Sequence, residues 1–404
     1  VQDWPQRSLA TPRPMPPRLD DNDRARILNP ALGREFPDGI GGSLRNRVED
    51  FRVWEIPAYA ADGRDQAHLL FTLEKQGWNT EDALRLLADK LGVPRSELGI
   101  AGLKDRNAIT TQWVSAPSRT ASLIEQFEHD ALRLGKPLPH SNKLRRGHLH
   151  GNRFEIVVRN VNCDLETALA RARLITEELN RRGLANVYGE QRFGHHGQNI
   201  ERGLEALASK RRRKRAEFVM SAGQSALFNL YLELRRESGT SRKILEGDVL
   251  KKTITGGLFV CQDPASDQPR LESGELEITG PIFGSKMRSP PPGSPSAELE
   301  AEVLERGKIR ASALHALGRS VPGTRRRLRI TPSALSVRVA PAVGPTDGAL
   351  LASPTDHADG LLGSGGIAVE FSLPSGSYAT VLLRELMNAG GSPRQIPSTA
   401  EGSP

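Results

Sequence analysis

The chain has 404 residues, 37% hydrophobic and 26% charged, long enough for two domains with separate buried cores. No apolar run approaches the roughly 20 residues of a membrane helix, and no signal-type apolar stretch stands at the N-terminus. Cys163 and Cys261 cannot build a disulfide framework, so a reducing cytoplasmic setting without membrane attachment is expected. Lysine and arginine number 56 against 48 acidic residues, and the formal charge of +8 favours polyanionic partners without identifying one.

In chain order, residues 1–35 are rich in proline and arginine, lack sustained periodicity, and read as a disordered extension. Order is expected from about Arg45, where Val48, Phe51, Val53 and Ile56 punctuate a strand-like run. Thr80 is the expected N-cap of a helix whose apolar face holds Ala83, Leu84, Leu87 and Leu91, with Gly92 ending it. The segment Ile100-Ala101-Gly102-Leu103-Lys104-Asp105-Arg106 reads as a strand running into a loop. Asn152, Phe154, Ile156 and Val158 alternate as a half-buried strand. Asp164 then caps an amphipathic helix bearing Leu165, Ala168, Ala172, Ile175 and Leu179, stopped by Gly183. A further helix is expected at 222–236. Residues 288–295 read as an exposed loop and 341–366 as a turn-rich insertion. Ile367, Val369, Phe371 and Leu373 alternate as a strand, a last helix covers Ala379 to Met387, and 391–404 read as a flexible tail. The pattern is a mixture of helix and strand that does not by itself separate α/β from α+β.

Asp105 lies between Lys104 and Arg106. Flanking cations favour an ionised carboxylate, as a nucleophile or base requires, although a surface ion pair would look the same. Gly189-Glu190-Gln191-Arg192-Phe193-Gly194 fits either a nucleic-acid contact loop, with Arg192 on phosphate, or a tight turn. His195 and His196 have no third ligand at a recognisable spacing, nor has His148-Leu149-His150, so no metal is expected. The run Lys210-Arg211-Arg212-Arg213-Lys214-Arg215 must be solvated or bound to anions. Lys143, Arg145 and Arg146 form a second basic cluster. Neither a Walker loop nor Gly-x-Ser-x-Gly is present.

A series of motifs resembles the TruD family of tRNA pseudouridine synthases. It begins at Glu49-Asp50-Phe51, continues through Glu74-Lys75 and Asn79-Thr80, and is strongest at Ala101-Gly102-Leu103-Lys104-Asp105-Arg106 with Thr110, Gln112 and Trp113. Lys143-Leu144-Arg145-Arg146-Gly147, Gly151-Asn152-Arg153-Phe154, Gly189 to Gly194, Ser225-Ala226-Leu227-Phe228-Asn229 and Leu373 to Thr380 follow in family order. The resemblance implies an α+β fold. A catalytic pseudouridine synthase domain with a mixed, antiparallel-rich sheet (40–182 plus 334–390) would be interrupted by an inserted α/β domain (183–333), with RNA seated in a cleft lined by basic segments.

The resemblance also makes Asp105 the catalytic aspartate and Phe154 the aromatic residue near the target base. Asn152 becomes an adjacent amide, and Arg45 stands where the family often has lysine, the basic partner of the aspartate. The expected RNA contacts are Lys104, Arg106, Lys143, Arg145, Arg146, Arg192, Lys210, Arg211, Arg212 and Arg213. Gln66-Ala67-His68 and Val187-Tyr188 depart from the family pattern. The implied activity is isomerisation of uridine, at position 13, in tRNA, with no cofactor and no obligate protein partner. The rival readings are a non-catalytic tRNA-binding or folding protein on this scaffold and a basic structural protein, which leaves the motif series unexplained.

Overall fold

The computed structural model describes residues 19–31, 35–36, 38–64, 67–209, 217–342 and 365–388. Two compact units divide them: one from Val1–Leu32 and Val187–Leu328, the other from Gly33–Asn186 and Arg329–Pro404.

The second unit is built on a nine-stranded sheet. Its strands include β1 (Phe51–Pro57), β2 (His68–Gln76), β3 (Gly99–Ile100), β4 (Ile109–Pro117), β5 (Leu132–Leu134), β6 (Leu138–His140) and β7 (Leu149–Arg159), joined by Ser333–Ala340 and Gly366–Pro374. From one edge the order is Ser333–Ala340, Gly366–Pro374, β7, β1, β4, β2, β5, with β3 added to β4 and β6 to β2. β1 and β4 run parallel and the other pairs antiparallel, the mixed, antiparallel-rich sheet of an α+β protein.

Strand alternation puts Phe71 and Leu73 of β2 and Val114 of β4 on one face, where they pack with Ala83, Leu84, Leu87 and Ala88 of the helix Thr80–Lys90. Burying each large apolar side chain contributes about 1.5–3 kcal/mol, so this layer forms a firm floor under the segment that follows β3. Asn79, rather than the expected Thr80, caps that helix, its side-chain oxygen accepting the Asp82 N–H at 2.8 Å. Both residue types cap well; Thr80 turns its hydroxyl inward instead. Asp164 caps the helix Leu165–Arg182 as expected, accepting the Thr167 N–H at 2.9 Å. The alternation read at Ile367, Val369, Phe371 and Leu373 is a fully buried strand face, and the last helix spans Ala379–Met387.

In the other unit a four-stranded sheet (Leu258–Val260, Val249–Lys252, Leu276–Ile282, Thr324–Arg327) accompanies the helix Glu217–Glu237. That helix crosses Gln198–Ala208 at Gly203 and Gly223, where a Cβ on Gly203 would stand 2.4 Å from the Gly223 nitrogen. Its Arg235 is wholly buried and paired with Asp248 at 2.7 Å. The expectation of a disordered extension fails for part of its length. Asp21–Leu28 is a helix, capped by Asp20 and joined to the unit by Asn229 Nδ2 donating to the Ile27 carbonyl and by Arg306 to Asp23. With one buried apolar side chain, Ile27, it has no periodicity to read, because polar contacts hold it. The 288–295 segment is exposed at six of its eight residues, as expected. Pro290 and Ser294 are buried, and Ser294 caps the helix Pro295–Arg306. Residues 1–18, most of 341–366, the run 210–215 and the tail 391–404 lie outside the described residues.

Candidate active site

Several buried polar side chains of the second unit, Glu55, Lys75, Thr110 and Gln112, belong to adjacent strands of its sheet. Register places Lys75, Thr110, Val53, Phe154 and Phe371 in one cross-strand row over five strands. Beside it, Glu55 of β1 pairs with Asn152 of β7, and Asn152 with Leu373. Gly151 permits the close approach of the last strand, since a Cβ there would lie 2.1 Å from the Leu373 carbonyl oxygen.

The loop after β3 is tied to these strands and to Thr80 at successive residues. The Gly102 carbonyl accepts from Gln112 Nε2 at 3.4 Å, and the Lys104 N–H donates to the Thr80 hydroxyl oxygen at 2.9 Å. The Lys104 ammonium pairs with Glu55. The Asp105 carbonyl accepts from Lys75 Nζ at 2.7 Å, and the same ammonium donates to the Trp78 carbonyl at 2.7 Å. Glu55 is held in turn by the Trp113 N–H at 3.2 Å, just past the point where the β1–β4 pairing ends.

This anchored backbone presents the Asp105 carboxylate outward, 40% exposed, where Arg45 donates to it. The Asn107 N–H donates to its other oxygen at 3.2 Å. Arg45 has a φ of +59°, in the left-handed region that non-glycine residues seldom occupy, and its guanidinium lies 4.8 Å from the Phe51 ring centroid. Backbone strain of this kind persists where surrounding contacts determine it, here the carboxylate and the ring.

Among the other expected site residues, Phe154 is 8% exposed and stacks on Phe371 with ring centroids 5.1 Å apart. The Asn152 side-chain oxygen is buried without a hydrogen-bond partner, as is the Thr110 hydroxyl in the neighbouring row. A buried polar atom left unpaired costs free energy unless something supplies the missing bond. Arg106 donates to the Gly77 carbonyl at 3.0 Å and is exposed, as are Arg145 and Arg146. Lys143 donates to the Ser96 carbonyl.

Lys104 corrects the expectation of a phosphate contact. Its side chain is 7% exposed and its charge is committed to a fully buried Glu55. Arg192, in the other unit, is held by Ser221 and Ser225 and lies 5.9 Å from the Tyr188 and Phe218 ring centroids, while Phe193 is buried. Lys210, Arg211, Arg212 and Arg213 fall outside the described residues.

Sequence reasoning missed Lys75, Glu55 and Thr80 as site residues. The first two had a legible signal: Glu55 is in phase with Phe51 and Val53, and Lys75 with Phe71 and Leu73. A charge on an apolar face needs a reason. Burial pushes the Lys75 ammonium down to about 8, the Asp105 carboxylate opposing the shift and Lys104 adding to it.

The family model for tRNA pseudouridine synthase D (TruD) matches residues 36–202 and 195–386. The tRNA pseudouridine synthase D of Anaeromyxobacter sp. is 41% identical over 375 residues, covering 89% of this chain and 96% of that protein. The protein of that name from Thermus thermophilus is 36% identical over 362 residues, covering 89% and 92%. A crystal structure from Methanosarcina mazei, described as a TruD-type tRNA pseudouridine synthase, shares the fold. Its TM-score is 0.68 at 22% identity, covering 92% of this chain and 98% of that one. The chain belongs to the TruD family of tRNA pseudouridine synthases and is an isomerase of the pseudouridine synthase class. No helix among the described residues is long and apolar enough to cross a membrane.

Proposed function

We propose that this protein isomerises a uridine of tRNA to pseudouridine, and that the Asp105 carboxylate carries the chemistry. Uridine 13 is the position that the family resemblance suggests. The observation that carries the reading is the pairing of a rigidly tethered backbone with an exposed, arginine-oriented carboxylate at Asp105. In the reaction the N1–C1′ bond breaks, the uracil turns, a C5–C1′ bond forms, and the C5 proton is lost while N1 gains one. The atoms balance without oxidant, reductant or added water. Positive charge builds at C1′ as the base departs, and a carboxylate beside the ribose stabilises it.

The target nucleotide must leave its stack to reach such a site. Phe154 forms an apolar wall for the base, and the unpartnered Asn152 oxygen accepts an N–H of the uracil edge. Arg45 orients the carboxylate. Arg106, Arg145 and Arg146, together with Lys143, Arg192 and the run from Lys210 to Arg213, supply phosphate contacts to tRNA. In this reading the catalytic domain comprises 40–182 and 334–390, the insertion 183–333, and the protein works in the cytoplasm.

The test is to incubate purified protein with unmodified tRNA transcripts and map pseudouridine. A single modified position, at 13, supports the full proposal. Modification elsewhere removes the position but keeps the activity. Binding without any pseudouridine leaves a tRNA-binding protein on this scaffold.

A further inference from the structure

We propose that Lys75 is a positioning residue for the reaction: its buried ammonium fixes the Asp105 carbonyl, and with it the backbone that aims the carboxylate. The inference rests on the reading of Asp105 given above and goes one layer beneath it. Lys75 is 1% exposed near the end of β2, in phase with the buried Phe71 and Leu73. Placing an ammonium there is costly, and both of its partners are carbonyl oxygens, of Trp78 and Asp105. A packing role is served as well by methionine, which has a similar length and no charge to desolvate. What methionine cannot do is bind two carbonyls, one from the turn that precedes the helix Thr80–Lys90 in sequence and one from the loop that follows β3. The ammonium therefore staples the catalytic loop to the sheet through the residue whose side chain reacts. Its positive charge also acts on the Asp105 carboxylate, which Arg45 contacts directly.

The charged groups facing Lys75 are Asp105 and Lys104, both from the loop. The flanking strands oppose it with Thr110 and Leu132, which do not titrate. The ammonium form makes the staple, and burial lowers its range to about 8. The hold should therefore loosen as pH rises through that value, because a neutral amine is a much weaker donor than a charged ammonium.

The experiment compares wild type, Lys75→Met and Asp105→Asn in single-turnover pseudouridine formation at saturating tRNA, with tRNA affinity and thermal melting measured on each. Lys75→Met is expected to slow turnover ~10–100-fold, the scale of a slightly misplaced catalytic group, with unchanged tRNA affinity and no loss of melting temperature. The wild-type advantage over Lys75→Met should narrow as pH rises past about 8. Wild-type turnover by Lys75→Met beside an inactive Asp105→Asn overturns this proposal alone. An unfolded Lys75→Met protein also overturns it, by making Lys75 structural. Turnover by Asp105→Asn overturns the reading beneath it.

Discussion

Arg45 reaches across 60 residues of sequence to donate to the Asp105 carboxylate, from a backbone held at a φ of +59°. The guanidinium also rests on the Phe51 ring, so two contacts fix one fork. Both lysine and arginine are cationic at neutral pH, and a purely electrostatic role survives the exchange. Arg45→Lys is expected to stay within about tenfold of wild-type turnover, and Arg45→Met to lose ~100-fold. Single-turnover assays at saturating tRNA separate this loss from binding. Equal, near-native rates for the two variants would remove Arg45 from the site.

The Lys104–Glu55 pair is nearly dry, with side-chain exposures of 7% and 0%. Breaking one partner strands a buried charge, which costs about 3–5 kcal/mol, whereas removing both is far milder. Glu55→Gln and Lys104→Met should each lower stability by about that much, and the double variant should recover most of the loss. Urea unfolding of the four proteins gives the cycle. Additive losses would show that the two side chains act independently.

Glu385 provides a pH-dependent element of stability. Burial, helped by the Glu35 carboxylate, pushes its carboxyl up from 4.5 to about 7, against the Glu35 backbone N–H that donates at 2.7 Å. The folded protein therefore prefers the protonated acid. Its contribution is complete below pH 4.5 and is lost as pH climbs through about 7. The rise from 4.5 to about 7 corresponds to about 3 kcal/mol. Glu385→Gln should flatten this part of the stability profile and leave the protein more stable than wild type at pH 8. An unchanged slope between pH 5 and 8 would contradict the assignment.

Replacing four of the six cations in 210–215 should weaken tRNA binding and reduce the salt dependence of log K by roughly one for each phosphate that is no longer neutralised. Turnover at saturating tRNA should persist. Affinity and salt slope equal to wild type would mean that the run is only solvated.

How much of this was readable in advance depends on the kind of interaction. The helix Leu165–Arg182 and the alternation from Ile367 to Leu373 were legible because burial imposes a period on neighbouring residues. The motif series singled out Asp105, Asn152 and Phe154, and the sheet carries the latter two on neighbouring rows of β7. The pairing of Arg45 with Asp105 was implied by resemblance alone, since no local pattern links positions so far apart. Glu55 and Lys75 were overlooked because a charged residue breaks the apolar run that marks a strand, although its phase shows that it points inward. Lys104 was assigned to RNA because sequence shows a charge but not the carboxylate that neutralises it.

The central claim is that the Asp105 carboxylate performs the isomerisation, and Asp105→Asn tests it most directly. The substitution preserves size, keeps an oxygen for the Asn107 N–H and leaves the Lys75 and Thr80 tethers on the backbone untouched. The variant should therefore fold, bind tRNA with near-native affinity and form no detectable pseudouridine in a single-turnover assay at saturating enzyme. Pseudouridine formed by the folded variant at an appreciable fraction of the wild-type rate would contradict the account.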